Sequence, residues 1–306
     1  GTRQRAGARG ELILIGMASA SSHPAWAMAC CGALCTPATI AVVARLFGEA
    51  SGRGAAPGTG TDASLRKSFV AFRFRYLVPY LFIMLADWMQ GTHMYTLYQS
   101  YGVEVGTLFL TGFCSAALFG TFVGSLADRF GRRNACLLYC FLEVVINALE
   151  HVPRMDALLL GRVLGGVSTN LLFTSFESWM VARHRELGFP DAWLSETFAL
   201  CAATNGLVAM LAGVAAQAAA DRLGDIGPFQ AAIALTALAA ALVAPWKENR
   251  GDTGEGDGAG GMFEALPRAL RAARADSGVW LLGLSQAVFD GATFTFVFAW
   301  VPTLMA

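Results

Sequence analysis

Long apolar segments separated by short polar stretches dominate the chain from residue 64 onwards. They fall at about 77–101, 105–126, 134–150, 156–181, 194–220, 228–246 and 278–300. Most approach the roughly 20 apolar residues that a helix needs to cross the ~30 Å hydrocarbon core of a bilayer. The pattern therefore predicts an all-α polytopic membrane protein with seven spanning helices.

The composition supports a membrane environment. Hydrophobic residues make up 55% of the 306 residues and charged residues 14%, against about 25% charged in typical soluble domains. The formal net charge is zero, so the chain lacks the basic excess that nucleic-acid binding requires. The sequence predicts the lipid bilayer, and no nucleic acid, as a partner.

The polar stretches divide the chain into four parts. Residues 1–63 form an N-terminal extension, 64–248 a bundle of six helices, 249–275 a Gly/Asp/Glu-rich linker, and 276–306 the first helix of a second bundle. Within the extension, the apolar run at 25–47 is long enough for an extra membrane helix. A targeting peptide is the alternative, because Arg3, Arg5 and Arg9 precede a short apolar run at 12–20.

Charge is distributed unevenly between the loops. From residue 64 onwards, fourteen lysines and arginines fall in the segments on one side of the predicted spans and two on the other. Cytoplasmic loops carry an excess of these residues. The asymmetry predicts a multi-pass protein of the cell membrane, with the start of helix 1 (about residue 75) and the 249–275 linker in the cytoplasm.

The charged stretch between the second and third spans reads Gly124-Ser125-Leu126-Ala127-Asp128-Arg129-Phe130-Gly131-Arg132-Arg133. Charged side chains are costly in hydrocarbon, so this stretch is predicted to be a tight loop outside the membrane. Gly124 and Gly131 would let the backbone turn and pack closely. Asp128 is placed to accept hydrogen bonds from helix N-termini or from the neighbouring arginines.

The pattern G-x-L-A-D-R-x-G-R-R resembles the signature loop of the major facilitator superfamily, between its second and third helices. This resemblance implies a major facilitator fold, in which two six-helix bundles enclose a substrate site near the middle of the membrane. The chain would then be C-terminally truncated after its seventh helix. The resemblance also implies a salt bridge between Glu177 and the loop arginines Arg132 and Arg133.

Polar residues inside the spans are the candidate substrate-binding residues, because they are costly in a bilayer. At 100° per residue, helices 1, 4 and 7 each carry a polar face, and the resemblance places these helices around the central cavity. The candidates are Asp87, Gln90, Arg162, Asn170, Gln286 and Asp290. Arg162 is either an anion anchor or the partner of a carboxylate such as Asp87. Glu143, Asn147 and Glu150 are assigned to packing or to the outer rim.

Three further stretches narrow the resemblance to the molybdate-anion transporter subfamily: Asp87-Trp88-Met89-Gln90, Phe176-Glu177-Ser178-Trp179, and Phe296 to Pro302. The resemblance implies uptake of molybdate or a similar oxyanion. The carboxylates Asp87 and Asp290 would repel an anion unless they are protonated or paired, which favours protons as the coupling ion. The alternatives are a transporter-like scaffold or nutrient sensor without flux, and a carrier of another small solute.

Enzymatic motifs are missing from the sequence. It contains no P-loop, no HExxH motif and no nucleophile–base pair, so we predict neither an enzyme nor catalytic residues. Its seven cysteines all lie in apolar stretches and form no CxxC pair, which indicates small buried hydrophobic residues. No metal and no cofactor are expected.

Overall fold

The computed structural model describes residues 60–250, 271, 274 and 276–305. In these ranges every secondary-structure element is an α-helix: α1 Gly60–Ser100, α2 Val105–Phe130, α3 Arg132–Leu149, α4 Met155–Glu186, α5 Asp191–Leu223, α6 Gly227–Val243 and α7 Ser277–Met305. The candidate helix at 25–47 and most of the 249–275 linker lie outside the described residues. The predicted all-α class is confirmed.

Helix α1 begins at Gly60, well before the predicted start at residue 77. Its basic residues therefore lie on the helix and not in a preceding loop. Lysine and arginine are good helix formers, and contacts with α5 hold this extension: Arg66 forms an ion pair with Glu196 at 2.7 Å. Helix α4 likewise continues to Glu186, so that Arg183 and Arg185 occupy its last turn.

The main helix contacts form a series. α2 contacts α4, α4 contacts α3, α3 contacts α6, α6 contacts α1, and α1 contacts α5. Two glycines allow α2 and α4 to approach closely: a Cβ on Gly120 would lie 2.8 Å from the Asn170 side chain, and one on Gly166 2.5 Å from the backbone nitrogen of Ala116.

Fewer helices satisfy a length-and-composition criterion for spanning than the seven predicted. Within the described residues, Ala63–Gly91, Met155–Glu186 and Asp191–Leu223 satisfy it, and α2 is a fourth if Val105–Gly120 and Phe122–Phe130 count together. Helix α3 has only 18 residues and contains Arg132, Arg133 and Glu143, while α6 has 17 residues. Short length and internal charge explain the difference for α3 and α6.

Candidate functional site

A cavity of about 310 Å³ lies between α1, α2, α3, α4 and α7, and we call it the central cavity. Its charged and amide side chains are Asp87 and Gln90 from α1, Glu143 from α3, and Arg162 from α4. Aromatic and aliphatic side chains form much of the remaining wall: Trp88, Met94, Phe109, Phe113, Ile146 and Phe294. A few polar groups in an apolar concavity are typical of a small-molecule site.

Arg162 reaches the central cavity as one half of a buried ion pair. Its Nη2 donates to Oε1 of Glu150 at 2.8 Å, and Glu150 is 0% exposed. The Tyr98 hydroxyl donates to the same Oε1 at 2.8 Å. Nε of Arg162 and Oε2 of Glu150 are buried without a hydrogen-bond partner. The carboxylate partner of Arg162 is therefore Glu150, which the sequence had assigned to packing, and not Asp87.

Tyr101 fixes the backbone of Glu150 from the turn between α1 and α2. Its hydroxyl donates to the Glu150 carbonyl oxygen at 2.8 Å. Burial and the carboxylates of Glu150 and Asp225 raise the pKa of Tyr101, so the hydroxyl remains a donor at neutral pH. Tyr98 therefore holds the Glu150 carboxylate and Tyr101 its backbone, which together position the ion pair with Arg162.

Glu143 is the second carboxylate that the sequence had assigned to packing. It is buried, and it accepts hydrogen bonds from Gln90 Nε2 at 3.0 Å, Ser168 Oγ at 2.7 Å and Asn147 Nδ2 at 3.3 Å. All three donors are neutral. The central cavity therefore combines the carboxylates of Glu143 and Asp87 with a guanidinium that is already paired.

The other predicted substrate-binding residues lie elsewhere. Nδ2 of Asn170 donates to the carbonyl oxygens of Ala116 and Gly166, both at 2.8 Å, so its amide joins α2 to α4. Gln286 donates to Asp290 at 2.9 Å within α7. Neither is part of the lining of the central cavity, to which α7 contributes Thr293 and Phe294.

Only one residue of the predicted signature loop lies outside a helix. Helix α2 ends at Phe130 and α3 begins at Arg132, so Gly131, with φ of 107°, makes the whole turn. As predicted, Asp128 accepts a hydrogen bond from a neighbouring arginine: Arg132 Nε donates to it at 2.7 Å. Gly124 lies inside α2 with open space at its Cβ position, so the close packing predicted there is wrong.

Glu248 occupies the position that the resemblance implied for Glu177. Its carboxylate accepts the backbone N–H groups of Arg133 at 2.9 Å, Asn134 at 3.1 Å and Asn249 at 3.0 Å. A Cβ on Gly131 would lie only 2.5 Å from this carboxylate. Among the described residues, Arg132 pairs with Asp128 and no ion pair joins Glu177 to Arg132 or Arg133.

Glu177 instead lines a second cavity, of about 470 Å³, at the end of the bundle that carries Gly131. Arg132, Arg185 and Arg250 contribute to the same lining, and we call it the basic cavity. Of the predicted loop residues, Arg129 is exposed in the last turn of α2 and Arg133 is half-buried next to Glu248. A functional role of the loop stays a prediction.

The comparison with protein families agrees with this arrangement. Residues 39–306 match a major facilitator family described as sugar transporters with 12 transmembrane segments. The chain belongs to this family, a family of multi-pass membrane transporters and not of enzymes. No solved structure matches the chain.

Curated relatives carry a more specific name. The chain is 36% identical over 260 residues to the molybdate-anion transporter of Xenopus tropicalis, covering 81% of this chain and 55% of the relative. It is 35% identical over 262 residues to that of Danio rerio (78% of this chain, 54% of the relative) and 34% identical over 270 residues to that of Takifugu rubripes (80% and 56%). The chain thus spans about half the length of these relatives.

Proposed function

We propose that the full-length protein carries molybdate, or a similar tetrahedral oxyanion, across the membrane through the central cavity. The supporting observation is the Arg162 guanidinium, which lines this cavity from α4. A planar guanidinium presents donors that match two oxygens of an oxyanion, which an ammonium group does not. The relatives named molybdate-anion transporters support the same substrate.

Glu150 acts in this proposal as a resident carboxylate that competes with the substrate for Arg162. In the structure Nη2 of Arg162 contacts Glu150 while Nε has no partner. A buried unsatisfied donor costs about 1–3 kcal/mol. An oxyanion that accepts from Nε recovers this free energy, and Glu150 balances the charge of Arg162 while the site is empty.

Proton binding relieves the electrostatic repulsion between an oxyanion and the carboxylates of the central cavity. An oxyanion beside Asp87 and Glu143 faces two like charges, and Glu143 receives only neutral hydrogen-bond donors. Protonation of Asp87 before the anion binds removes one of these charges. Uptake is therefore coupled to protons and should increase as the external pH falls, with the initial rate of molybdate uptake as the measurement.

The direct test replaces Arg162 with lysine in the full-length protein and measures molybdate uptake by mass spectrometry. We expect normal surface expression and an apparent affinity weakened by about 1.5–3 kcal/mol, the worth of a charge-assisted hydrogen bond. Arg154→Lys is the matched control, because Arg154 is 72% exposed and contacts Asp156 outside the cavity. Unchanged affinity in Arg162→Lys would count against the anchor.

A rescue experiment separates the anchor from a structural ion pair. Arg162→Gln alone leaves Glu150 buried and unpaired, whereas Arg162→Gln with Glu150→Gln leaves neither charge. If Arg162 binds substrate, the double variant should recover expression and thermal stability but not uptake. Recovery of near wild-type uptake would reduce Arg162 to a structural role.

An uncharged sugar is the second candidate substrate, and the charge balance of the cavity favours it. Asp87, Gln90 and Glu143 can accept hydroxyl hydrogens, and aromatic side chains form much of the wall. The family description also names sugar transporters. Competition distinguishes the candidates: excess sulfate should inhibit an oxyanion carrier, and excess hexose a sugar carrier. Absence of flux for both would leave the scaffold or sensor alternative.

We propose the membrane orientation that the loop charges predict. The start of α1 and the end of the bundle that carries Gly131 face the cytoplasm, and the protein lies in the cell membrane. A cysteine at Ser68 should then be protected from an impermeant thiol reagent in intact cells, while one at Val103 should react. The reverse labelling pattern would overturn this topology.

A further inference from the structure

We propose that the basic cavity is a second anion-binding site, which takes a tetrahedral oxyanion such as free molybdate, free phosphate or the phosphate of a lipid headgroup. The choice of molybdate as a probe rests on the proposed function, whereas anion binding at this site does not. The site lies at the Gly131 end of the bundle, between the start of α3, the last turns of α4 and the segment after α6.

The charges of the lining favour an anion. The lining contains three arginines, Arg132, Arg185 and Arg250, and one glutamate, Glu177. The Ser178 side chain adds a hydroxyl donor. Clefts lined by one sign of charge concentrate ions of the opposite sign.

The fold fixes two of these arginines in place. Nε of Arg132 donates to Asp128 at 2.7 Å, which orients the guanidinium plane. The backbone N–H of Arg132 donates to the carbonyl oxygen of Asn249 at 3.0 Å, and Nδ2 of Asn249 donates to the carbonyl oxygen of Trp179 at 3.1 Å. Asn249 directly precedes Arg250, so the backbone leading into Arg250 is attached to both α3 and α4.

Arg185 is more available than Arg132, which is 17% exposed. It is 67% exposed, and its Nε lies 3.8 Å from Asp191, which is itself 82% exposed. Such a solvent-exposed pair contributes little free energy, so an anion can replace Asp191 at small cost. This is the opposite of Arg162, whose partner Glu150 is 0% exposed.

Binding of molybdate to the full-length protein in phosphatidylcholine nanodiscs tests the site by isothermal titration calorimetry. The background is Arg162→Gln with Glu150→Gln, which removes the central guanidinium. In this background we expect molybdate and phosphate to bind, with an affinity that falls as salt is raised. Adding Arg185→Gln and Arg250→Gln should weaken binding by about tenfold or more.

Controls identify the source of the anion and exclude general charge effects. Arg154→Gln removes an exposed arginine outside both cavities and should leave the affinity unchanged. Phosphatidic acid in the nanodiscs should weaken molybdate binding if a lipid headgroup occupies the site and should have no effect if the ligand is a free anion. The melting temperature of the combined variant reports whether it is folded. If it is not folded, the single variants Arg185→Gln and Arg250→Gln replace it in the comparison of affinities.

Two results would overturn the site: no molybdate or phosphate binding in the background protein, or equal affinity with and without Arg185 and Arg250. Failure of the proposed function is a different result. In that case wild-type protein shows no molybdate uptake while the nanodisc protein still binds the anion through Arg185 and Arg250.

Discussion

The central cavity and the basic cavity both contain arginine and glutamate, but they arrange these residues in opposite ways. In the central cavity Arg162 is bound to Glu150, which is 0% exposed, and Glu143 is buried among neutral donors. In the basic cavity Arg185 is 67% exposed, and the lining contains three arginines and one glutamate, Glu177. Depth in the bundle, and not residue type, sets how each charge is held.

This difference follows from the cost of removing a charge from water. A buried ion pair loses several kcal/mol if one partner is removed, because the other charge remains uncompensated. An exposed pair is screened by water and salt and is worth about 0–1 kcal/mol. Substitutions of one type, made in both regions, should therefore give very different free energies of unfolding.

The largest effect is expected for glutamate-to-glutamine substitutions. Glu150→Gln leaves Arg162 buried without its counter-charge and should lower the free energy of unfolding by about 3–5 kcal/mol. Glu177→Gln, at an exposed position in the basic cavity, should change it by less than about 0.5 kcal/mol. Melting curves of the purified variants measure both, and similar losses would remove the distinction between the cavities.

Glycine substitutions near the basic cavity should have the next largest effect. Gly131→Ala places a methyl group 2.5 Å from the Glu248 carboxylate at φ of 107°, whereas Gly188→Ala meets no atom within 4 Å at φ of 70°. Both lose the freedom of glycine at positive φ. We expect Gly131→Ala to cost about 1.5–3 kcal/mol more, since Glu248 must release backbone N–H groups. Equal unfolding energies would show that the contact with Glu248 contributes nothing.

Serine-to-alanine substitutions compare a buried hydroxyl with an accessible one. Ser168 is 0% exposed and donates to Glu143 at 2.7 Å. Its removal should cost about 1–3 kcal/mol because a buried carboxylate loses a donor. Ser178→Ala, in the half-exposed lining of the basic cavity, should stay within about 0.5 kcal/mol. An unchanged free energy of unfolding in Ser168→Ala would indicate that a water molecule replaces the hydroxyl group.

A small effect on stability is also expected at Asp128. It is 44% exposed and pairs with Arg132 across one helical turn, so Asp128→Asn should cost less than about 1 kcal/mol. Its position outside the central cavity predicts a lower uptake rate with an apparent affinity within about threefold of wild type. Kinetics of molybdate uptake decide this, and a large loss of affinity at a normal rate would contradict it.

Much of the architecture could be predicted because hydrophobic periodicity and loop charge are local signals. The apolar segments marked the seven described helices, and the charged stretch around Gly131 marked the turn between α2 and α3. Helix α1 was predicted too short because the charges of Arg66 and Arg73 were interpreted as a loop. Their stabilising contact, Glu196, lies on α5, far along the chain.

The site could be predicted only in part, because its pairings join distant segments. Asp87, Gln90 and Arg162 were found from their polarity within apolar helices. The pairing of Glu150 with Arg162 had a usable signal in the sequence. Glu150 directly follows α3, and Arg162 lies near the start of α4, the next helix. The contact of Glu248 with the backbone of α3 had no such signal, because Glu248 and Arg133 are separated by more than a hundred residues along the chain.

The stacked indoles beside the basic cavity have an optical consequence. Trp179 and Trp246 lie 3.9 Å apart between ring centroids and within 19° of parallel, and Trp179 Nε1 donates to the carbonyl oxygen of Lys247 at 2.8 Å. Transition dipoles held this close couple, and the coupling gives a paired band in the circular dichroism of the indole absorption. Since Trp246 directly precedes Lys247 and Glu248, that band is an intrinsic spectroscopic signal of whether the segment after α6 is attached to the bundle.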